Sequence, residues 1–198
     1  MKAAVCRSFG QPLEIEELTI AEPGPGEIKV RLAACAICHS DVTLAEGGWG
    51  GELPAVYGHE ASGIVESIGA GVSEAKPGDH VVVTLIRSCG SCHYCSQDIE
   101  TQCDASFHLD ANSPLSGSGD EAVSQGLNTG AFAEQVVVEQ KQQQDVKDAD
   151  DVGAVREPPV QYDVDMVTEI ISSAGGLEEA IRRIITSEGI DSTLQEHN

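Results

Sequence analysis

Basic and aromatic residues are scarce in this 198-residue chain. Eleven Lys and Arg oppose 33 Asp and Glu, the formal net charge is −22, and aromatic residues make up 4%. Such a surface repels nucleic-acid phosphates and anionic membranes, so we expect neither as a partner. Acidic surfaces with only five lysines suit halophilic proteins, but an ordinary acidic soluble protein can have the same composition.

Long apolar runs and a secretory leader are also missing. No apolar stretch approaches membrane-spanning length, and the first residues reach Gly10, Pro12 and Glu14 without the apolar segment of a signal peptide. We therefore expect a cytoplasmic protein. Its seven cysteines are an odd number, and clustered cysteines without a secretory signal favour metal binding over disulfides.

The pattern of residues 1–140 predicts a mainly β fold with some α. From Glu27 to Leu32 apolar and polar residues alternate: Ile28 and Val30 share one face with Leu32, and two basic residues occupy the other. Further strands are predicted at 60–68, 79–85 and 131–138, a short helix at 38–45, and a long surface loop at 104–129.

The composition changes at Lys141. Residues 141–160 contain a glutamine run, several aspartates and Pro158-Pro159, which predicts an acidic, polar linker. Residues 161–198 are predicted to form a helical tail, because apolar residues recur at helical spacing in 164–173 and 177–187.

Four cysteines form the most specific pattern in the sequence. Cys89, Cys92, Cys95 and Cys103 lie in a short polar segment, 88–104. Four thiolates suit a tetrahedral, closed Zn²⁺ site, and such a site is structural rather than catalytic. The alternatives are unligated thiols or a redox Cys-x-x-Cys pair, but no thioredoxin-like βαβ pattern surrounds these cysteines.

A second candidate metal site combines Cys38-His39-Ser40-Asp41 with Gly58-His59-Glu60. A mixed cysteine and histidine site with one open position suits catalytic zinc. Either motif alone is weak, since a lone histidine is usually packed or solvent-facing. The two motifs followed by the four-cysteine segment are far more specific.

Residues 1–140 resemble the GroES-like, β-barrel-type N-terminal catalytic domain of the zinc-dependent medium-chain alcohol dehydrogenases. Besides both cysteine and histidine motifs, the similarity includes Pro23-Gly24-Pro25-Gly26-Glu27, Gly69-Ala70-Gly71-Val72 and Pro77-Gly78-Asp79-His80-Val81. The resemblance implies one structural and one catalytic zinc, NAD(P) as cofactor, and a small alcohol or aldehyde as substrate. It leaves open whether the protein is a homo-oligomer.

The same resemblance assigns roles at the second site. It implies that Cys38 and His59 are catalytic zinc ligands and that Glu60 binds the metal transiently or acts from beside it. Ser40 matches the hydroxyl that hydrogen-bonds the substrate oxygen, and His39 matches a contact to the cofactor pyrophosphate. Asp41 would orient the histidine.

The nucleotide-binding part of that family is not recognisable. No Gly-x-Gly-x-x-Gly follows an apolar strand, and Gly117-Ser118-Gly119 is only a partial match in a Ser/Pro-rich loop. Only 58 residues follow Gln140, whereas a complete Rossmann domain needs well over about 100. The family's third zinc ligand, usually a later cysteine, is also missing, and Asp145, Asp148 or Asp150 could replace it.

We therefore expect a shortened zinc-binding oxidoreductase that cannot bind NAD(P) alone and is inactive in isolation. The alternative is a non-catalytic, zinc-stabilised binding or structural module derived from such an enzyme. A co-chaperonin-like role would use the same β fold, but it would need neither zinc site.

Overall fold

The computed structural model of this protein describes residues 1–145. The strands in this range are β1 (Lys2–Cys6), β2 (Glu14–Glu17), β3 (Thr19–Ile20), β4 (Glu27–Ala36), β5 (Ala55–Val56), β6 (Glu60–Ile68), β7 (His80–Val83), β8 (Leu115–Ser116), β9 (Ala122–Gln125), β10 (Gln135–Glu139) and β11 (Gln143–Asp145). The α-helix of this part is α1 (His39–Ala45). The prediction of a mainly β fold is therefore confirmed. No helix in residues 1–145 is long and apolar enough to cross a membrane.

The strands form two sheets. One sheet has six strands in the order β2-β1-β5-β9-β8-β3, and the other has five in the order β10-β4-β6-β7-β11. The long antiparallel pair β4–β6 lies at the centre of the five-stranded sheet, and its register shifts twice, after Lys29 and after Leu32. Such bulges bend a sheet and increase its twist.

The five-stranded sheet is strongly curled. Its two edge strands, β10 and β11, are separated in sequence only by the 3₁₀ turn Gln140–Gln142. Four strand spacings of a flat sheet would measure about 19 Å, but the chain from Glu139 to Gln143 spans at most about 14 Å. The edges must therefore come close together, as the predicted β-barrel-type architecture requires.

The core contains the apolar face predicted for β4, although a charged residue of the other face is buried too. Ile28 and Val30 are fully buried in β4, and they pack with Val65, Val81 and other aliphatic residues of the five-stranded sheet. Lys29, predicted to lie on the opposite face, is only 7% exposed. Its ammonium group donates a hydrogen bond to Glu22 at 2.6 Å, so the buried aliphatic stem ends at a carboxylate partner.

Two predicted segments differ from the structure. The predicted surface loop 104–129 contains β8 and β9, which belong to the six-stranded sheet. Their apolar residues Leu115 and Val123 are buried in its core. The predicted linker begins at Lys141, yet β11 still pairs with β7. The rest of that linker and the predicted helical tail lie outside the described residues.

Candidate metal centres

The four-cysteine segment, residues 88–104, is a lobe in which all four sulfur atoms converge. The Sγ atoms of Cys89, Cys92, Cys95 and Cys103 lie within 4.8 Å of one another. The Cys89–Cys95 and Cys92–Cys103 pairs are separated by 4.0 and 3.9 Å. Tetrahedral zinc with Zn–S bonds of about 2.3 Å needs sulfurs about 3.8 Å apart, so this donor set fits Zn²⁺. All four are free thiols rather than disulfides.

Backbone N–H groups inside the lobe point at the sulfurs. Cys89 Sγ accepts from the N–H groups of Ser91 and Cys92 at 3.4 and 3.2 Å. These bonds lower the pKa of Cys89 to about 6, because they stabilise the thiolate. Burial raises the pKa of Cys95 to about 11. The turn between the first two cysteines needs Gly90, which has φ +73°.

The lobe has almost no apolar interior. Ser88 and Cys95 are its only buried residues, and Tyr94 and Ile99 are exposed. Its regular structure is limited to two 3₁₀ turns, Cys95–Gln97 and Glu100–Gln102. A segment this polar cannot be held by hydrophobic burial, so a metal ion would supply much of its folding energy.

The second candidate site lies where α1 meets the start of β6. Cys38 precedes the first residue of α1, His59 lies just before β6, and Glu60 is the first residue of β6. Their ligand atoms lie within 4.8 Å of one another. His59 is 3% exposed, whereas the Glu60 side chain is 52% exposed. The site is therefore buried on the histidine side and open on the glutamate side.

Asp41 organises this second site. It is fully buried in the first turn of α1. One oxygen accepts from the Cys38 N–H at 3.0 Å. The other accepts from the Gly58 N–H and pairs with His59 Nδ1, both at 3.0 Å. A carboxylate can only accept, so His59 Nδ1 carries a proton, and Nε2 is the ring nitrogen available to a metal.

The residue before His59 must be glycine. Gly58 has φ +92°, and a Cβ atom there would lie 2.7 Å from the ring of Phe132. Only glycine adopts this conformation at low cost and leaves space for the ring. The turn then directs the His59 side chain inward to Asp41.

The remaining predicted residues lie around this centre. Ser40 Oγ is 3.4 Å from His59 Nε2, on the side where a metal would bind. His39 is exposed at the start of α1. Cys35 is not in the donor set, although it lies only three residues before Cys38. It is in β4 opposite Ala61, and burial raises its pKa to about 12.

The third protein ligand is not identified beyond Glu60. Within residues 1–145, the group able to hold a metal here consists of Cys38, His59 and Glu60. Asp145 lies in β11, where its backbone pairs with Val81. Asp148 and Asp150 are outside the described residues.

Known proteins resemble this chain in sequence and in fold. Residues 24–148 match the family described as "Alcohol dehydrogenase GroES-like domain". The chain belongs to this alcohol dehydrogenase family. It is 42% identical over 144 residues to "Putative alcohol dehydrogenase D" of Mycobacterium tuberculosis, and 45% identical over 103 residues to "NDMA-dependent alcohol dehydrogenase" of Amycolatopsis methanolica.

Solved alcohol dehydrogenase structures confirm the GroES-like fold. An alcohol dehydrogenase zinc-binding domain protein from Burkholderia ambifaria matches with a TM-score of 0.68 and 30% identity, over 73% of this chain and 41% of that one. Benzyl alcohol dehydrogenase from Acinetobacter calcoaceticus matches with a TM-score of 0.65 and 26% identity, over 88% and 44%.

The alignments to the two curated relatives cover only part of each protein. The match to the Mycobacterium tuberculosis protein covers 70% of this chain and 39% of that protein. For the Amycolatopsis methanolica protein these shares are 52% and 28%. The chain therefore spans about two fifths of the length of the first relative.

Sequence reasoning missed the contacts that attach the lobe to this alcohol dehydrogenase domain. Arg87 pairs with Asp110 across the base of the lobe, and His108 Nδ1 lies 3.0 Å from the buried Glu27. Asp110 and His108 lie in the segment 104–129, which the sequence predicts to be a surface loop. One signal in the sequence could have indicated Arg87. It is one of only eleven basic residues, and it lies two positions before Cys89.

Proposed function

We propose that this chain provides the zinc-binding and substrate-activating part of a zinc- and NAD(P)-dependent alcohol dehydrogenase. The observation that carries the proposal is the contrast between the two donor sets. One set has four converging sulfurs and no free position. The other is a mixed cysteine, histidine and glutamate set with one exposed member. Closed sites are structural, and open mixed sites are catalytic.

Each residue of the open site has a distinct task in this proposal. Cys38 and His59 hold the metal, and Asp41 fixes the ring of His59 so that Nε2 faces it. Glu60 Oε1 lies 3.7 Å from His59 Nε2, close enough to bind the same metal. Because the Glu60 side chain is exposed, it can also turn away from the metal. When bound here, Zn²⁺ supplies Lewis-acid polarisation of an alcohol or carbonyl oxygen.

Ser40 would handle the substrate proton. Its hydroxyl lies beside His59 Nε2, so it can donate a hydrogen bond to a carbonyl oxygen or accept the proton of an alcohol. General acid–base catalysis requires this reach of about 2.6–3.2 Å in the substrate complex. His39, exposed at the start of α1, would contact the cofactor pyrophosphate, as the family resemblance implies.

We further propose that the 198-residue chain does not oxidise alcohols by itself. Hydride transfer requires the nicotinamide to be held about 3–3.5 Å from the reacting carbon. A glycine-rich turn and a helix N-terminus normally hold the dinucleotide, and the sequence contains no such fingerprint. One exposed histidine contact is too little to replace them.

Calorimetric titration with NADH and NADPH, together with an assay over primary and secondary alcohols, tests this proposal. We expect two zinc ions per chain, no micromolar cofactor binding and no turnover. Micromolar binding with zinc-dependent turnover that is lost in Cys38→Ser would contradict the predicted inactivity. Zinc only in the lobe, with none lost in Cys38→Ser or His59→Ala, would instead favour the non-catalytic module.

A further inference from the structure

The chain enters and leaves the zinc lobe at a charged neck. Arg87 lies two residues before Cys89, and Asp110 lies seven residues after Cys103. Arg87 Nη2 donates a hydrogen bond to Asp110 Oδ1. The same carboxylate accepts the backbone N–H of Phe107 at 2.7 Å through its other oxygen. The ion pair therefore joins the two chain segments that bound the lobe.

Arg87 is held in place from a second direction. Its guanidinium lies 4.7 Å from the centre of the Phe107 ring, within cation–π range. The Arg87 side chain is only 10% exposed, and Nη1 is buried without a hydrogen-bond partner among the described residues. A buried guanidinium with an unpaired donor is costly. This unfavourable burial occurs at the neck, where the chain enters and leaves the lobe.

The returning segment is also attached to the five-stranded sheet. His108 Nδ1 lies 3.0 Å from Glu27 Oε1, and Glu27 is 3% exposed at the start of β4. Leu109, between His108 and Asp110, is buried. The neck is thus fixed to the domain, whereas the lobe beyond it has almost no apolar interior of its own.

We propose that Arg87 is a positioning residue of the four-cysteine metal site. By pairing with Asp110 and stacking on Phe107, it closes the neck before metal binds. The ends of the cysteine-bearing loop are then held together, so less chain entropy is lost when the four thiolates gather around zinc. The inference rests on the proposed assignment of the lobe as a zinc site.

Arg87 acts on the metal only through the chain. The polar atoms that point at the sulfurs are groups of the lobe itself, such as the N–H groups of Ser91 and Cys92. Removing the Arg87 charge should therefore change how readily the site closes, and leave the tetrahedral four-sulfur geometry unchanged. This difference separates a positioning role from general damage to the fold.

Metal binding by neck variants of the full chain tests the proposal. Zinc affinity is measured by competition with a chromophoric chelator, and Co²⁺ reports geometry through its thiolate charge-transfer bands. Arg87→Met should weaken zinc binding at the lobe about tenfold, in the range seen for residues that support metal ligands. Arg87→Lys should recover part of the loss, and Asp110→Asn should match Arg87→Met.

Arg7→Met is the matched control. Arg7, next to the six-stranded sheet, pairs with Glu16 and Glu121, so its loss removes two ion pairs of the same kind, from a position far from the lobe in sequence. We expect unchanged zinc affinity in that variant, an unchanged four-sulfur cobalt spectrum in all variants, and no additive loss when Arg87→Met and Asp110→Asn are combined.

The possible failures are distinguishable. If the wild-type lobe binds no zinc, the proposed function of the lobe fails. If it binds zinc and Arg87→Met and Asp110→Asn bind equally well, the neck proposal alone is overturned. The same conclusion follows if Arg7→Met weakens binding as much. Should Arg87→Met not fold, Arg87→Lys and Asp110→Asn decide the question.

Discussion

Replacing Asp41 with asparagine should destabilise the fold and weaken metal binding at the open site. Asp41 accepts three hydrogen bonds, from the Cys38 N–H, the Gly58 N–H and His59 Nδ1–H. Asparagine has one acceptor oxygen and one donor nitrogen. If the asparagine oxygen keeps the hydrogen bonds from Gly58 and His59, its NH₂ group faces the Cys38 N–H. Two donors then face each other, and the Cys38 N–H loses its acceptor.

The magnitude follows from burial. Asp41 is 0% exposed, so water cannot replace the lost bond. One unsatisfied buried donor costs about 1–3 kcal/mol. A loss of about 2 kcal/mol lowers Tm by about 4–8 °C in a chain of this size. The His59 ring also loses its charged partner, which should weaken metal binding at Cys38 and His59 about 10- to 100-fold.

Two measurements check this prediction. Circular dichroism melts give Tm, and zinc titration against a chelator gives the affinity of the weaker site. Asp120→Asn is the matched control, because Asp120 is exposed and has φ +62°, a conformation that asparagine tolerates. Wild-type zinc affinity in Asp41→Asn would refute the orienting role of Asp41, whatever happens to Tm.

Three further outcomes follow from the structure. Cys92→Ser or Cys103→Ser should lose close to one zinc per chain and expose the lobe to protease, which mass spectrometry and limited proteolysis measure. A mild chelator should strip zinc from Cys38 and His59 before the lobe, because the closed four-sulfur site is tighter; simultaneous loss would contradict this order. Molar KCl should raise Tm, since screening weakens the self-repulsion of a chain with net charge −22, and a Tm indifferent to KCl would remove the halophile interpretation.

The four-cysteine donor set could be predicted because its information is local. Cys89, Cys92 and Cys95 are spaced so closely that a tight turn brings their sulfurs together. The Asp41–His59 contact could be anticipated only through the family resemblance, because β5 and its flanking loops separate α1 from β6 in the sequence. The neck pair Arg87–Asp110 was missed, since no periodic pattern marks two charges on opposite sides of an insertion.

The fold was predictable where one face of a strand is apolar. The strand Glu60–Ile68 has the bounds that its alternation predicts. The burial of Lys29 was not predictable, because it depends on Glu22, a residue outside its own strand. Leu115 and Val123 belong to strands too short for any periodicity to show. Their burial comes from tertiary pairing with each other and with β3.

The curl of the five-stranded sheet also affects how its two edge strands are exposed. Edge strands carry unpaired N–H and C=O groups that can recruit a strand from another molecule, and lysine side chains are a common protection. This chain has only five lysines. Because the turn Gln140–Gln142 brings the β10 and β11 edges together, neither edge is offered as a long flat template. Geometry thus limits strand pairing at these two edges, in a chain where lysines are scarce.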